Sequence, residues 1–209
     1  MKNILLVEDH AVVREGLKKM LEQPGVTSFG EAATGAEAMR LFRGKRWDIV
    51  VLDIYLDGRS GLEVLKELKQ ISPKLPVLIL SMHSEEQYAR RAFKAGASGY
   101  VTKDSPRSVL IEAVNKVIGG GKYVSPTLAE NLVINLDLDI DRPLHELLSD
   151  REFEVMTHIA SGKTVGEIAV LLSLSDRTIS TYRARILDKM GMKTSAELTH
   201  YAIQNKLVD

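Results

Sequence analysis

Five times within the first 120 residues a short apolar run gives way to a stretch of helical periodicity, and that alternation restricts the chain more than any single motif. Ile4-Leu5-Leu6-Val7 is followed by Val12, Val13, Leu17, Met20 and Leu21 at helical spacing, until Pro24-Gly25 stops the helix. Val26 to Ala33 reads as a weaker strand and Gly35 to Arg43 as a helix; Asp48-Ile49-Val50-Val51-Leu52-Asp53 is an apolar strand between turn-like flanks. Beyond the Asp57-Gly58 turn come a helix from Gly61 to Ile71, a strand from Val77 to Ser81, and a helix from Glu85 to Lys94 with Gly96 at its C-terminus. Gly99 to Lys103 makes the fifth strand, and Pro106 opens a fifth helix that runs to Ile118. Runs so short, rich in Val and Ile and without polar alternation, suit strands buried on both faces. The alternation therefore predicts a doubly wound α/β domain, a parallel sheet of order 2-1-3-4-5 with right-handed crossovers.

That order makes strands 1 and 3 neighbours, about 4.8 Å apart, and puts the topological switch between them. Glu8, Asp9 and Asp53 then crowd one edge. Carboxylates that close repel one another unless a cation joins them, and an all-oxygen donor set favours Mg2+. Strand 4 brings the Ser81 hydroxyl to the same edge, and strand 5 the Lys103 ammonium. Asp53 by itself reads more readily as a loop acid capping the next helix. With a cation, a hydroxyl and a lysine beside it, it becomes a carboxylate equipped to accept a phosphoryl group and neutralise its charge.

At 209 residues the chain exceeds one ordinary domain, so two are expected. Lys plus Arg and Asp plus Glu both number 28, so any basic surface for an acidic partner must be local. The absence of cysteine excludes disulfides, thiolate metal sites and cysteine nucleophiles. Acids at Glu8 and Asp9 come too early for a secretory signal, and no apolar run approaches the ~18 residues of a membrane span, so a cytoplasmic protein is expected.

Gly119-Gly120-Gly121 breaks the fifth helix and marks the expected end of the first domain. Thr127 to Leu136 can form an amphipathic helix, and the acidic stretch from Asp137 to Pro143 reads as linker. From Leu148 the pattern is purely helical. Ser149-Asp150-Arg151-Glu152 is a capping box, Gly162 ends that helix, and Thr164 caps a short second one. Ser173-Leu174-Ser175 turns into a longer helix from Asp176 to Met190, giving a helix-turn-helix, and a last helix runs from Ser195 to Asn205. At about 100° per residue, Ile179, Tyr182, Ile186 and Met190 share one stripe of the longer helix. Arg177, Ser180, Thr181, Ala184 and Asp188 point the other way, with Arg183 and Arg185 on the flanks. A small-residue face between arginines can enter a major groove while the cations meet phosphates.

Residues 1 to about 120 resemble a response-regulator receiver domain, of flavodoxin-like fold. The matching features are Glu8-Asp9, Asp53, Ser81, and Gly96-Ala97 leading to Tyr100 and Lys103. The resemblance implies that a sensor histidine kinase phosphorylates Asp53, with Glu8, Asp9, Asp53 and the Tyr55 carbonyl holding Mg2+. Ser81 and Lys103 would bind the phosphoryl oxygens, and Ser81 and Tyr100 would form the switch. Tyr55 and His83, each two residues past a site residue, would tune water's access to the acyl phosphate. Lys103 is followed by Asp104, where many receivers have proline.

Leu148 to Leu207 resembles the LuxR-type DNA-binding domain through Ser149-x-Arg151-Glu152, Gly162-Lys163, Glu167-Ile168-Ala169 and Thr178-Ile179-Ser180-Thr181-Tyr182. Together the halves resemble the NarL/FixJ family of response regulators. The implied organisation is a receiver over 1–120, a linker over 121–147 and a helix-turn-helix domain over 148–209. The implied DNA contacts are Lys163, Thr164, Arg177, Ser180, Thr181, Arg183, Ala184 and Arg185. The implied partners are double-stranded DNA with two half-sites, the transcription machinery, and a second copy of the chain once phosphorylated, with no membrane and no enzymatic turnover. The family often has lysine where Ser180 stands and again near Ala184, so phosphate affinity here would lean on Arg183, Arg185 and dimer avidity. Two other readings stay open. An aspartyl phosphohydrolase of the haloacid dehalogenase type wants a second Asp where Tyr55 stands, and a constitutive DNA binder would carry a vestigial acid pocket.

Overall fold

The central strands carry unbroken apolar runs, Ile4 to Val7, Ile49 to Leu52 and Val77 to Leu80, so they must be covered on both faces, and the computed structural model shows how. It describes residues 2–22, 24, 26–56, 59–82, 85–134 and 143–208. The chain divides into two units, 1–134 and 135–209. In the first, β1 (Lys2–Val7), β2 (Val26–Ala32), β3 (Ile49–Asp53), β6 (Val77–Ser81) and β7 (Gly99–Thr102) form one parallel sheet in the order β2-β1-β3-β6-β7. This is the order read from the sequence, with a small antiparallel hairpin interposed, β4 (Tyr55–Leu56) against β5 (Arg59–Ser60). The Asp57-Gly58 turn that would join the hairpin lies outside the described residues.

The crossovers are α1 (Ala11–Leu21), α2 (Gly35–Gly44), α3 (Gly61–Ile71), α4 (Glu85–Lys94) and α5 (Arg107–Ile118). Strand side chains alternate between the faces. Ile4, Leu6, Ile49, Val51, Leu78 and Leu80 pack with Leu17 and Leu21 of α1 and Leu110, Val114 and Val117 of α5. Leu5, Val7, Val50, Leu52 and Ile79 of the other set are equally buried, on the face served by α2, α3 and α4. At φ +101°, Gly96 takes the left-handed conformation that ends α4.

The first unit does not stop at the three glycines, as the sequence suggested. Gly120 turns the chain at φ +86°, and Tyr123 comes back to bridge Gly99 at the sheet edge, its N–H 2.9 Å from the Ser98 carbonyl. Tyr123 is buried in the α1–α5 core, and α6 (Pro126–Ile134) follows within the same unit. A glycine run announces a break in a helix; here it makes a turn that returns the chain to its own sheet. Most of the expected acidic linker lies outside the described residues.

The second unit is helical: a 3-10 turn (Leu144–Leu147), α7 (Asp150–Ala160), α8 (Val165–Leu171), α9 (Asp176–Met190) and α10 (Ser195–Gln204). Four N-terminal caps set the helix starts. Ser149 and Thr164 form reciprocal boxes with Glu152 and Glu167, and Ser175 and Thr194 accept from the N–H groups of Thr178 and Glu197. Gly191, at φ +66°, closes α9. Phe153, Met156, Ile168, Ile179, Ile186 and Leu198 are the buried centre. No helix among the described residues is long and apolar enough to cross a membrane.

Candidate functional site

Strand register delivers the acids. Val7 pairs with Leu52, so Glu8, one residue on, comes level with Asp53, and Asp53 in turn pairs with Leu80, just before Ser81. Ser81 pairs with Thr102, and the N–H of Lys103 donates to the Ser81 carbonyl at 2.8 Å. The Lys103 ammonium reaches back over this edge to Asp53 Oδ2 at 2.7 Å and Glu8 Oε2 at 2.6 Å. Asp53, Glu8 and Ser81 are all buried, and the half-buried Tyr55 donates its N–H to Asp53 Oδ1 at 3.3 Å. The peptide after Lys103 is trans, with Asp104 in the place where many receivers carry proline.

Gly61 makes this edge compact. Its N–H donates to the Ile54 carbonyl at 2.6 Å, and a Cβ there would stand 1.9 Å from the Asp53 carbonyl oxygen. Only glycine lets α3 begin directly beneath the strand end.

Burial lifts the Asp53 carboxyl, Lys103 pulls it back and Glu8 pushes it up again, leaving it at about 6. Burial pulls Lys103 down, but Asp53 and Glu8 outweigh it, so the ammonium is held above its ordinary value. Asp9 is nearer the surface; His10 Nδ1 stands 2.7 Å from its Oδ1, and that hydrogen bond and charge raise the imidazole's pKa. Glu8, Asp9 and His10 offer donor atoms within 4.8 Å of one another. Glu8 and Asp53 share one ammonium, and Asp9 lies beside Glu8 at the rim, so hard oxygen donors with surplus negative charge gather here, a set that fits a divalent cation such as Mg2+.

Glu8, Asp53, Ser81 and Lys103 are thus brought together, with Asp9 at the rim and the Tyr55 N–H directed at Asp53. Tyr100 lies fully buried on β7, paired with Ile79. His83 falls outside the described residues. Sequence reasoning missed Arg14, whose guanidinium donates to the Glu8 carbonyl at 2.7 Å and fixes the start of the acidic pair. A lone arginine in a helix gives no sign of such a bond.

In the second unit the outward side of α9 carries exposed Arg177, Ser180, Thr181, Ala184 and Asp188, as the helical plot predicts, and Arg185, placed on a flank, is exposed as well. Ser175, Arg177, Thr178, Thr181, Tyr182 and Arg185 line an open depression there. Two assignments shift. Tyr182, placed by the plot on the inward stripe, is partly exposed and lines the depression, because it sits at the margin of that stripe. Arg183 is half-buried and donates from Nε to Ser195 Oγ at 2.8 Å, which ties it to the start of α10. Lys163 is exposed before α8, and Thr164, also exposed, uses its hydroxyl in the cap of that helix.

The signature residues of the resemblance turn out to be largely scaffold. Arg151 is buried on α7; it pairs with Glu154 at 2.6 Å and donates to the Leu172 carbonyl at the end of α8 at 2.9 Å. Glu152 Oε2 accepts from the Ser149 N–H at 2.8 Å and from the Lys189 ammonium of α9 at 2.6 Å. The bonds to the Leu172 carbonyl and from Lys189 fix α7 against α8 and α9, while the other two hold α7 and its cap together.

A buried acidic strand edge on a doubly wound sheet, in a chain that also carries a helix-turn-helix, defines the class of two-part regulators that couple a receiver to a DNA reader. Residues 4–115 match the response regulator receiver domain, and residues 146–202 match the luxR family of bacterial regulatory proteins. The response regulator UvrY of Escherichia coli K12 is 31% identical over 209 residues, covering 99% of this chain and 96% of that one. GacA of Pseudomonas aeruginosa is 32% identical over 212 residues, covering 100% and 99%. Among solved structures, a LuxR-family two-component response regulator from Aurantimonas is 39% identical at a TM-score of 0.61, over 65% of this chain and 98% of that one. ChrA, from a heme-sensing two-component system, is 28% identical at 0.51, over 99% and 98%. The chain belongs to the NarL/FixJ family of response regulators: it is a transcription factor with a receiver and a LuxR-type DNA-binding domain.

Proposed function

We propose that Asp53 accepts a phosphoryl group from a sensor histidine kinase in a Mg2+-dependent reaction, and that the acyl phosphate controls dimerisation and sequence-specific DNA binding by α8 and α9. The observation that carries this reading is the Lys103 ammonium touching both Asp53 and Glu8 at a buried strand edge. An Asp53 carboxylate oxygen attacks the phosphorus of the kinase's phosphohistidine. An O–P bond forms as the N–P bond breaks, and the electron pair stays on the imidazole nitrogen, which takes a proton from water. Lys103 turns from the carboxylates to a phosphoryl oxygen, and the Ser81 hydroxyl donates to another. Glu8, Asp9, Asp53 and the Tyr55 carbonyl hold the Mg2+, which when bound neutralises charge on the transferring group. Ser81 moving toward the phosphoryl group is coupled to Tyr100, which makes these two the switch.

Two copies then present their α9 helices to two half-sites of an operator, where Arg177, Ser180, Thr181, Ala184 and Arg185 meet the DNA, with Lys163 and Thr164 at its margin and Arg183 bracing α9. The assembled dimer acts on the transcription machinery in the cytoplasm. Incubating the full chain with a small phosphoramidate donor and Mg2+ should yield an acid-stable, alkali-labile phosphoprotein that runs as a dimer on sizing and shifts operator DNA. Asp53→Asn should abolish all three. Labelling that survives in Asp53→Asn would overturn the assignment, and DNA binding indifferent to donor and Mg2+ would leave a constitutive DNA binder.

A further inference from the structure

Beside the acid edge lies a contact that the phosphoryl chemistry above does not use. The Tyr55 hydroxyl, two residues past Asp53, is hydrogen-bonded to the hydroxyl of Tyr88 on α4 at 2.5 Å. Their rings meet edge to face with centroids 5.9 Å apart. Tyr88 is only 1% exposed, so its ring is fixed by its surroundings and its hydroxyl can serve as an anchor. Tyr55 is half-buried, and its backbone is held in turn at three points. Its N–H donates to Asp53 Oδ1, it pairs with Ser60 across the small hairpin, and the preceding Ile54 carbonyl accepts from Gly61. A continuous chain of bonds therefore runs from the acceptor carboxylate, through one residue's backbone and side chain, to a helix that shares no strand with it.

We infer that Tyr88 is a positioning residue for the phosphoacceptor: through the Tyr55 hydroxyl it latches the segment after Asp53 to α4, holding the Tyr55 backbone against the acceptor carboxylate. The inference rests on the assignment of Asp53 as phosphoacceptor. A backbone N–H 3.3 Å from its acceptor is long for this kind of bond, so its alignment depends on what holds the segment from the other side. The latch is that hold. It also makes the arrangement reciprocal, since whatever moves α4 loosens the segment and whatever tightens the segment draws on α4.

Tyr88→Phe and Tyr55→Phe each delete one hydroxyl and keep the ring, so the fold should survive. Each should slow Asp53 phosphorylation by a small phosphoramidate by about three- to ten-fold, the range that loss of one neutral hydrogen bond allows. Without donor or Mg2+, each should also speed amide hydrogen exchange from Ile54 to Leu56 and at Arg59 and Ser60. The double variant should be no slower than either single one, because both remove the same bond. Parent-like phosphorylation and exchange in both single variants, or fully additive losses in the double, would overturn the inference. No phosphorylation even of the parent chain would instead remove the Asp53 assignment beneath it.

Discussion

The two units both bury charge, and they do so to opposite ends. At the receiver edge Glu8 and Asp53 share a single ammonium, and the Asp53 carboxyl is left at about 6. In the DNA reader, Arg151 is divided between Glu154 and the Leu172 carbonyl, while Glu152 is met by Ser149 and Lys189 and held below its ordinary value. A buried charge with too few partners is costly to keep and is ready to react with a cation or a phosphoryl group. One with a full set of partners fixes helices in place. The same residue types therefore serve chemistry in one unit and architecture in the other. On the reader the side chains proposed to meet DNA are instead the exposed ones on α9.

If that contrast is right, the largest effect of a single substitution in the reader should come from Arg151, although it touches no DNA. Arg151→Met takes the guanidinium from the buried Glu154 carboxylate and its donor from the Leu172 carbonyl, a loss of about 3 kcal/mol or more. Denaturation followed in the second unit should show it, and Arg151→Met with Glu154→Gln together should recover part, since the buried side chain is then neutral. A reader as stable as the parent after Arg151→Met would erase the distinction.

Next in size is a difference between two neighbours on α9. Arg185 is exposed in the depression, whereas Arg183 is held by Ser195. Arg185→Ala should weaken operator binding several-fold and flatten its salt dependence by about one phosphate contact, while Arg183→Ala should leave the salt slope nearly unchanged. Fluorescence anisotropy across a salt series separates them, and equal slopes would return Arg183 to the DNA-facing set.

These residues also mark where sequence reading stops. The five strands and their order were legible because the central strands carry unbroken apolar runs that alternate with helical stretches, and the starts of three helices because Ser149, Thr164 and Ser175 announce themselves as caps; the cap at Thr194 came only with the structure. The acid edge was legible because strand-end acids and a strand-end lysine follow from topology alone. The two-residue strands at Tyr55 and Arg59 are too short to carry a period. The return of Tyr123 to Gly99, the tie of Arg183 to Ser195 and the bond from Tyr55 to Tyr88 join residues far apart in the chain, and nothing local specifies them. Arg151 and Glu152 read as part of a solvated capping turn until the packing of α7 on α8 and α9 encloses them.

The finest test of the contrast is Glu152. Burial alone would push its carboxyl up, but the Lys189 ammonium at 2.6 Å and the N–H and hydroxyl of Ser149, all meeting Oε2, outweigh that and hold it below the ordinary glutamate range. A carboxyl whose pKa is lower folded than unfolded stabilises the fold at pH values above its unfolded value. That contribution shrinks as pH falls below the unfolded value of about 4.3 and is gone once pH passes the folded one. The second unit of the parent chain should therefore lose stability on acidification through that window. Glu152→Gln should be less stable at neutral pH, where the charged bond to Lys189 is missing, yet lose less as the pH is lowered. Thermal melts of parent and variant from pH 7 to pH 3 should accordingly converge. Parallel curves would mean that Glu152 carries no linked proton, and that the reader's buried charges are no better satisfied than those of the receiver edge.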